Sequence, residues 1–335
     1  MGGGRPPGGA LRIFLTGATG YIGTALCLRL RAAGHELRAL ARPTSRTETL
    51  VGMGVAIFPG DLAERVSMRE GMSGADWVIH AAAELDLDAA AGRMEGANVT
   101  GSENVASLAH KLGVPRFLSI SSIARWGGSP DDGTPATETT PQRLPLPTRY
   151  CRTKAAGEEA IQAWAKRGLR VNTVYPSLVY GPPGKRSGTN ALLRQLDRGR
   201  FPAMIGGDRK SSWIFLDDLV EGIVRVIERS PPGRNYLMTG DVATTREIAG
   251  RVAALGGAPA PRREVSVGFA RLALRVARPF YRLRGRRPPI PLEQLASLER
   301  HWAFDDARAR TELDWRPRPL ADGLPVTLDH LRATR

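Results

Sequence analysis

A tyrosine and a lysine stand four residues apart in the stretch YCRTK, from Tyr150 to Lys154. Four residues make about one helical turn, so in a helix both side chains project from the same face. A nearby cation favours the phenolate form of a tyrosine, which would let the phenol act as an acid–base group. Packing and solvation explain many such pairs equally well, so the rest of the chain has to decide.

A glycine cluster in the stretch TGATGYIG is the second chemical signal. It places Gly17, Gly20 and Gly23 between the apolar run Leu11–Leu15 and a helix-like stretch over 22–33. Glycines at this point allow a tight turn and let backbone N–H groups approach a pyrophosphate at the helix N-terminus. A purely structural turn is the alternative, but the strand–turn–helix context favours a dinucleotide site.

The elements around these motifs alternate between strands and helices. After the first strand and helix, ELRALA (Glu36–Ala41) reads as a second strand, and GVAIF, DWVIHA and RFLSIS are further strand candidates with helix-length segments between them. Continuous apolar runs alternating with helices predict an α/β fold of Rossmann type, a doubly wound parallel sheet covered on both faces. Ligands of such folds bind beyond the carboxyl ends of the strands.

The end of the second strand bears on cofactor choice. A carboxylate there would bind the ribose 2′-hydroxyl of NAD, whereas a cation suits the 2′-phosphate of NADP. The sequence reads LARPTSR, with Arg42 at the strand end, Arg46 nearby and no acid. It therefore favours NADP over NAD, the alternative being that Arg42 is an ordinary surface arginine.

Composition limits the class of protein. The chain has 335 residues, enough for two domains, and its two cysteines, Cys27 and Cys151, cannot build a disulfide framework. Neither the cysteines nor the scattered histidines show metal-ligand spacing, and no apolar run is long enough for a membrane span. Residues 1–10 lack the apolar core of a signal peptide and are expected to form a disordered lead-in. These features predict a cytoplasmic protein without a metal.

Taken together, the motifs resemble those of the extended short-chain dehydrogenase/reductase family, the NAD-dependent epimerases and dehydratases, and within it the 3β-hydroxysteroid dehydrogenase and dihydroflavonol reductase branch. The resemblance runs from Leu11 to the C-terminus. Besides the glycine turn and YCRTK, it rests on the following segments: GDL at 60–62, VIHAAA at 78–83, NVTGSENV from Asn98, SISSIARWGG (whose last serine is Ser122), YPSLVYGPPG with Pro176, and FDDARARTELDWRPRPLADGL.

The resemblance implies a role for each matching residue. Tyr150 would exchange a proton with the substrate oxygen, with its pKa lowered by Lys154 and an oxidised nicotinamide, while Ser122 would hydrogen-bond that oxygen and Lys154 would hold the nicotinamide ribose. The implied catalytic residues are Ser122, Tyr150 and Lys154. The implied cofactor-binding residues are Gly17, Thr19, Gly20, Tyr21, Ile22, Arg42, Asp61, Leu62, Ala81, Ala82, Ala83, Tyr150, Lys154 and Pro176.

The resemblance also divides the chain. Residues 11–181 would form the dinucleotide-binding domain. Residues 182–335 would form mainly a smaller C-terminal substrate-binding domain, with some segments returning to the first. The protein could be a homodimer.

The substrate class is indicated by departures from the family pattern. Tyr175 stands where sugar-nucleotide epimerases carry an asparagine that contacts the substrate diphosphate, and Ser211 and Phe215 replace an arginine and a histidine of those enzymes. These changes favour a small apolar substrate. Trp213, Phe215 and Trp126 either line its pocket or belong to the core.

An arginine-rich segment accounts for much of the net charge of +15. Residues 262–287 hold nine arginines and one glutamate, with Phe269, Leu272 and Val276 at helical spacing and Arg271, Arg275, Arg278 and Arg282 mostly on other faces. Such a helix either packs its apolar stripe on the substrate domain or makes a peripheral membrane contact.

These observations predict an NAD(P)-dependent enzyme that interconverts a secondary alcohol and a ketone on a sterol, lipid or phenolic substrate. A nucleotide-sugar epimerase or dehydratase is the alternative within the family. A basic nucleic-acid-binding or regulatory protein on an inactive scaffold is a further alternative, which the intact serine, tyrosine and lysine disfavour.

Overall fold

A computed structural model describes residues 9–90, 92–184, 187–201, 203–285 and 290–334. Most of the predicted lead-in, residues 1–8, lies outside the described residues, as do Arg286 and Arg287 at the end of the arginine-rich segment. For Arg278 and Arg282 only the helical backbone is described.

The strands of the described chain fall into one large and two small sheets. In chain order they are β1 (Arg12–Thr16), β2 (Glu36–Ala41), β3 (Ala56–Pro59), β4 (Trp77–His80), β5 (Arg116–Ile120), β6 (Val171–Pro176), β7 (Leu178–Tyr180), β8 (Met204–Ile205), β9 (Lys210–Phe215), β10 (Asn235–Met238), β11 (Asp241–Thr244) and β12 (Glu264–Val265).

The helices lie between and around these strands. They are α1 (Tyr21–Ala32), α2 (Glu48–Gly52), α3 (Arg65–Met72), α4 (Arg93–Glu95), α5 (Gly101–Lys111), α6 (Arg149–Ala165), α7 (Gly188–Asp197), α8 (Leu216–Arg229), α9 (Thr245–Ala254), α10 (Val267–Leu283), α11 (Leu295–Leu298), α12 (Ala307–Leu313) and α13 (Leu320–Ala333). A π-helical turn at Gly96–Thr100 leads into α5, and a 3₁₀ turn at Ile123–Trp126 follows β5.

The large sheet has seven parallel strands in the order β10-β6-β5-β4-β1-β2-β3. Strand order reverses between β1 and β4, the arrangement of a doubly wound sheet. The predicted Rossmann-type fold is confirmed. The first five predicted strands match β1 to β5. Apart from the edge strand β3, whose residues are exposed or half-buried, each is an apolar run that is largely buried in the sheet.

Alternate side chains of each strand enter two separate cores. Phe14 packs with α3, α5 and α6 on one face through Met68, Val105 and Ile161. Its neighbours in β1 pack on the other face, against α1 and α8. This two-sided burial fixes the strand register, since a slip of one residue would exchange the faces.

The second half of the chain contributes to both units. Strand β10 forms an edge of the large sheet and α8 covers one of its faces, so these segments join the unit built on the large sheet. The three-stranded sheet β11-β9-β7 packs with α7, α9 and α13 into a further core built around Tyr180, Trp213 and Phe215.

Candidate active site

Most residues predicted to form the site follow the carboxyl ends of neighbouring parallel strands. The strand ends are aligned by register: Thr16 pairs with Leu40 and with His80, and Ile120 pairs with Val174. The turn at Gly17, Ala81–Ala83, Ser122 and Pro176 therefore stand along one edge of the sheet. The structure brings them together although they are spread over some 160 residues of sequence.

The glycine turn is shaped for close backbone approach. Gly17 has a φ of 75°, and a Cβ at this position would lie 2.5 Å from the backbone N of Ala82. A Cβ on Gly23 would lie 2.1 Å from the carbonyl oxygen of Gly17, so the turn and α1 can meet only through glycines. Helix α1 begins after Gly20 with no side-chain cap and no acid in its first turn. This open, positive helix end fits a dinucleotide pyrophosphate.

Tyr21, in the first turn of α1, ties the glycine turn to a distant loop. Its hydroxyl donates a hydrogen bond of 2.6 Å to the carbonyl oxygen of Gly181. The hydroxyl of Tyr21 therefore already has a hydrogen-bond partner within the protein. Any contact of Tyr21 with a cofactor at the start of α1 would be made by its backbone.

The residues predicted to meet the adenosine end of the cofactor lie after the outer strands. Arg42 directly follows β2 and is exposed. Asp61 follows β3, is also exposed, and accepts a 2.9 Å hydrogen bond from the backbone N–H of Ala63. The carbonyl oxygen of Leu62 accepts a 2.8 Å hydrogen bond from Asn104 of α5, which fixes this loop.

Tyr150 stands in the first turn of α6, after the N-cap Thr148, whose hydroxyl accepts a hydrogen bond from the backbone N–H of Cys151. Burial raises the pKa of Tyr150 to about 12, while the nearby side chain of Ser122 acts in the opposite direction. In the chain by itself the phenol is therefore protonated at neutral pH. Lys154, which the sequence predicts to lower this pKa, is not among the groups that shift it in the chain by itself.

Lys154 lies one turn after Tyr150 and points at the end of β5. Its ammonium donates a 3.3 Å hydrogen bond to the carbonyl oxygen of Ile120. Burial lowers the pKa of Lys154 to about 8, and the carboxylate of Glu158 opposes that shift. Lys154 consequently remains mostly charged at neutral pH.

Glu158 is a buried acid that the sequence interpretation missed. It lies one further turn along α6, and its carboxylate accepts hydrogen bonds from the hydroxyls of Ser121, at 2.9 Å, and Tyr175, at 2.8 Å. Arg125 forms an ion pair with it at 3.1 Å. The spacing of tyrosine, lysine and glutamate at four-residue intervals in YCRTKAAGE was the available signal, because it puts all three on one helix face.

Asn98 occupies the π-helical turn and connects three elements. Its side-chain amide bonds to the backbone N–H and carbonyl of Glu84, after β4, and donates 3.0 Å to the hydroxyl of Thr153 in α6. Gly157 makes this approach possible, since a Cβ there would lie 2.0 Å from the carbonyl oxygen of Asn98. The asparagine thus positions α6 against the loop that borders the site.

His80 at the end of β4 is fully enclosed beside these residues. Its ring bonds to the hydroxyls of Thr16, at 2.7 Å, and Ser102, at 3.0 Å. Burial, and secondarily the charge of Lys154, lowers the pKa of His80 to about 3. The imidazole is therefore a neutral structural group in the folded protein.

His80 makes stability depend on pH. The unfolded chain takes up a proton on this residue below a pKa of about 6.5, whereas the folded chain does not until near pH 3. Above pH 6.5, His80 makes its full contribution to the free energy of unfolding. Below pH 6.5 we expect this contribution to fall by up to ~1.4 kcal/mol per pH unit. Urea unfolding of wild type and His80→Gln at pH 7 and pH 5 measures this. Between pH 7 and pH 5 the free energy of unfolding should fall less in the variant than in wild type. Equal decreases would contradict the assignment of His80 as a neutral buried group.

The aromatic residues considered for a substrate pocket are core residues. Trp213 and Phe215 are buried in the C-terminal core. Trp126 packs edge-on against Tyr175 and Phe304 in a separate cluster and donates a hydrogen bond to the carbonyl oxygen of Thr140. Of the two interpretations of these side chains, the structure supports packing.

Within the described residues, no group of three or more His, Cys, Asp or Glu side chains is arranged to hold a metal ion. Cys27 and Cys151 are both buried free thiols. None of the helices in the described part of the chain has the length and apolar character to cross a membrane.

Comparison with known proteins gives consistent matches over most of the chain. The model of the NAD dependent epimerase/dehydratase family matches residues 13–238. Sterol demethylase protein B of Methylococcus capsulatus is 30% identical over 89% of this chain and 92% of its own. The 4-hydroxy-2-methyl-3-oxo-4-farnesyl-3,4-dihydroquinoline-1-oxide ketoreductase of Stigmatella aurantiaca is 28% identical over 91% of this chain and 92% of its own. The crystal structure of gox2253 superposes with a TM-score of 0.81 at 26% identity, covering 96% of this chain and 98% of the other.

Proposed function

Because the chain belongs to the NAD dependent epimerase/dehydratase family and is an NAD(P)-dependent enzyme, we propose that it interconverts a secondary alcohol and a ketone on an apolar substrate, with Tyr150 as the acid–base group. The observation that carries this proposal is that Ser122, Tyr150 and Lys154 lie together at the end of β5, on the same sheet edge as the glycine turn.

The two hydroxyls have complementary tasks. A bound nicotinamide supplies or accepts the hydride, which is chemistry of the cofactor. In reduction Tyr150 gives its proton to the ketone oxygen, and in oxidation it takes the proton of the alcohol. Ser122 donates a hydrogen bond to the same oxygen and stabilises the negative charge that develops there. The raised pKa of Tyr150 means that the proton for reduction is in place before the reaction begins.

Lys154 and Glu158 would assist Ser122 and Tyr150 indirectly. Lys154 would hold the nicotinamide ribose, as the family resemblance implies. Glu158 keeps the lysine charged by raising its pKa against burial, and it accepts a hydrogen bond from Ser121, the residue before Ser122. Glu158 is thus a positioning residue rather than one that touches the reacting atoms.

An apolar substrate is supported by what stands at the diphosphate positions of nucleotide-sugar enzymes. Tyr175 is buried with its hydroxyl on Glu158 and offers no donor to a diphosphate. The two cations beside Ser211 are directed to the protein itself: Arg209 bonds to His301, and Lys210 bonds to the carbonyl oxygen of Gly133.

Two relatives extend this support. One is named as a sterol demethylase protein and the other as a ketoreductase of a farnesylated quinoline. Both names describe proteins that meet large apolar molecules. We therefore propose a sterol, lipid or phenolic ketone as the substrate of this chain, with the alcohol as its reduced partner.

NADP is the proposed cofactor, with Arg42 bound to its 2′-phosphate. We expect Arg42→Asp to weaken NADP much more than NAD, because it replaces an attraction by a repulsion. One charge-assisted contact contributes roughly 1.5–3 kcal/mol, so the ratio of the two dissociation constants should shift about tenfold or more. Fluorescence titration with NADPH and NADH measures both constants. Arg251→Asp, an exposed arginine on α9, is the charge-matched control, and equal effects of Arg42→Asp on both cofactors would refute the assignment.

The function itself is tested by a substrate screen. Purified protein is mixed with NADPH and a series of sterol, lipid and phenolic ketones, and the loss of nicotinamide fluorescence is followed, with UDP-glucose and dTDP-glucose in parallel. The proposal predicts stoichiometric NADPH consumption with at least one apolar ketone. Conversion of a nucleotide sugar without net cofactor consumption would show an epimerase or dehydratase instead.

A further inference from the structure

Helix α10 (Val267–Leu283) carries an apolar stripe on its outer side. Phe269, Leu272, Val276, Phe280 and Leu283 are between 51% and 88% exposed. At 100° per residue all five fall within an arc of about 80° on the helix surface. Single exposed apolar residues are common on proteins, but five aligned along one helix form a continuous patch.

The same helix is held to the protein by a different face. Ala270 is buried, and Val267, Leu274, Ala277 and Tyr281 are half-buried. These residues centre on the side of α10 that is turned well away from the stripe. Of the two interpretations of this helix, packing of the stripe with Phe269, Leu272 and Val276 is therefore wrong, because these residues are exposed and a different face of α10 contacts the protein.

Exposed arginines lie on α10 and in the chain segments that flank it. Arg262, Arg263, Arg275 and Arg284 are exposed, and none of them has an ion-pair partner among the described residues. The guanidinium of Arg284 lies 4.0 Å from the centre of the Phe280 ring, at the edge of the apolar patch. Arg271 differs, since it pairs with Glu299 at 3.3 Å and so helps to anchor the helix.

We propose that this face of α10 docks in the plane of an anionic lipid bilayer. The five apolar side chains enter the boundary between headgroups and acyl chains, and the arginines bind lipid phosphates. A strongly charged helix with an apolar face on one side and basic residues on the others has the composition of an interfacial helix. Residues 262–287 carry nine arginines and one glutamate, a positive charge that complements an anionic surface.

Charge also selects this partner over a second copy of the chain. Pairing two α10 helices through their stripes would bring two segments of net charge +8 together, which is unfavourable. An anionic bilayer satisfies the apolar stripe and the arginines at the same time. The inference does not depend on the proposed reaction, because it rests on α10 and its flanks alone.

The experiment is co-sedimentation of the full-length protein with vesicles. Vesicles of phosphatidylglycerol and phosphatidylcholine are compared with vesicles of phosphatidylcholine alone, at low and raised salt. Wild-type protein should sediment with the anionic vesicles only, and less at raised salt. Leu272→Glu with Val276→Glu should weaken vesicle binding by roughly tenfold or more, since it places two acids in the apolar stripe.

Two further variants separate the apolar and basic contributions. Arg263→Gln, Arg275→Gln and Arg284→Gln together should weaken binding and flatten its salt dependence, as fewer phosphates are neutralised. Val66→Glu is the control, because Val66 is an exposed apolar residue on another helix, α3, and its change should leave binding unaltered. Thermal unfolding midpoints establish that all variants are folded.

Three results would overturn the proposal. The first is wild-type protein that stays in the supernatant with anionic vesicles at low salt. The second is unaltered vesicle binding by the Leu272→Glu, Val276→Glu variant, which would leave a purely electrostatic attraction. The third is a dimer in gel filtration that the same double variant splits, without any vesicle binding, which would make the stripe an interface between copies.

Discussion

Tyr150→Phe is expected to lower turnover of the best ketone by ~10²–10⁴-fold while the dissociation constant of the cofactor stays within about twofold of wild type. The substitution keeps the half-buried ring in its place and removes only the hydroxyl, which lies near Ser122. Positioned proton donors contribute that range of rate enhancement. Steady-state kinetics and fluorescence titration with NADPH give the two quantities separately.

Tyr281→Phe serves as the control for this change. It also removes a phenol hydroxyl, but from helix α10, which is not part of the candidate site. Its turnover should equal that of wild type. If Tyr150→Phe were as active as Tyr281→Phe, Tyr150 would not be the proton donor, and the proposed mechanism would fail with it.

Gly157→Ala is expected to damage both stability and activity. The new Cβ would lie 2.0 Å from the backbone carbonyl oxygen of Asn98, so α6 and the π-helical turn have to move apart. Overpacking of this kind typically costs about 1–3 kcal/mol. Since α6 also carries Tyr150 and Lys154, the shift should reduce turnover by roughly tenfold to a hundredfold. Urea unfolding and steady-state kinetics measure the two effects.

Gly250→Ala is the control for Gly157→Ala, since it makes the same change in another helix. Gly250 lies inside α9, and a Cβ there would meet no atom within 4 Å. Because alanine is the better helix former, this variant should gain about 0.5–1 kcal/mol and keep full turnover. Similar behaviour of the two glycine variants would mean that the contact between α6 and Asn98 does not position the site.

The sheet edge and its residues were predictable because they depend on local patterns. An apolar strand followed by glycines and a helix favours a phosphate-binding turn, and parallel strands bring their carboxyl ends to one edge. The positions of Gly17, Arg42, Asp61 and Ser122 after their strands, and of Pro176 at the end of β6, follow from that rule. The family model over 13–238 then confirms the family resemblance.

The protonation states of the site were not predictable, because they depend on burial in three dimensions. One-turn spacing predicts that Lys154 lowers the pKa of Tyr150. In the folded chain, however, desolvation raises the pKa of Tyr150 and lowers that of Lys154. The buried partner Glu158 and its bonds to Ser121 and Tyr175 join residues from different elements. No spacing in the sequence reveals such a cluster in full.

The stripe of α10 shows a further limit of sequence patterns. Helical periodicity identifies Phe269, Leu272 and Val276 as one face, but it does not say whether that face turns inward. Here the face with Ala270 and Leu274, turned well away from the stripe, is the one that packs. Periodicity left both orientations open, and only the structure decides between them.

The most direct test of the central claim is isotope transfer from the cofactor. NADPH carrying deuterium at both hydrogen positions of nicotinamide C4 is incubated with the protein and the best apolar ketone, and the alcohol is analysed by mass spectrometry. We predict one deuterium on the carbinol carbon and one NADPH oxidised per alcohol formed, with both signals lost in Tyr150→Phe. An alcohol without deuterium, or turnover confined to nucleotide sugars with no net oxidation of NADPH, would contradict the account.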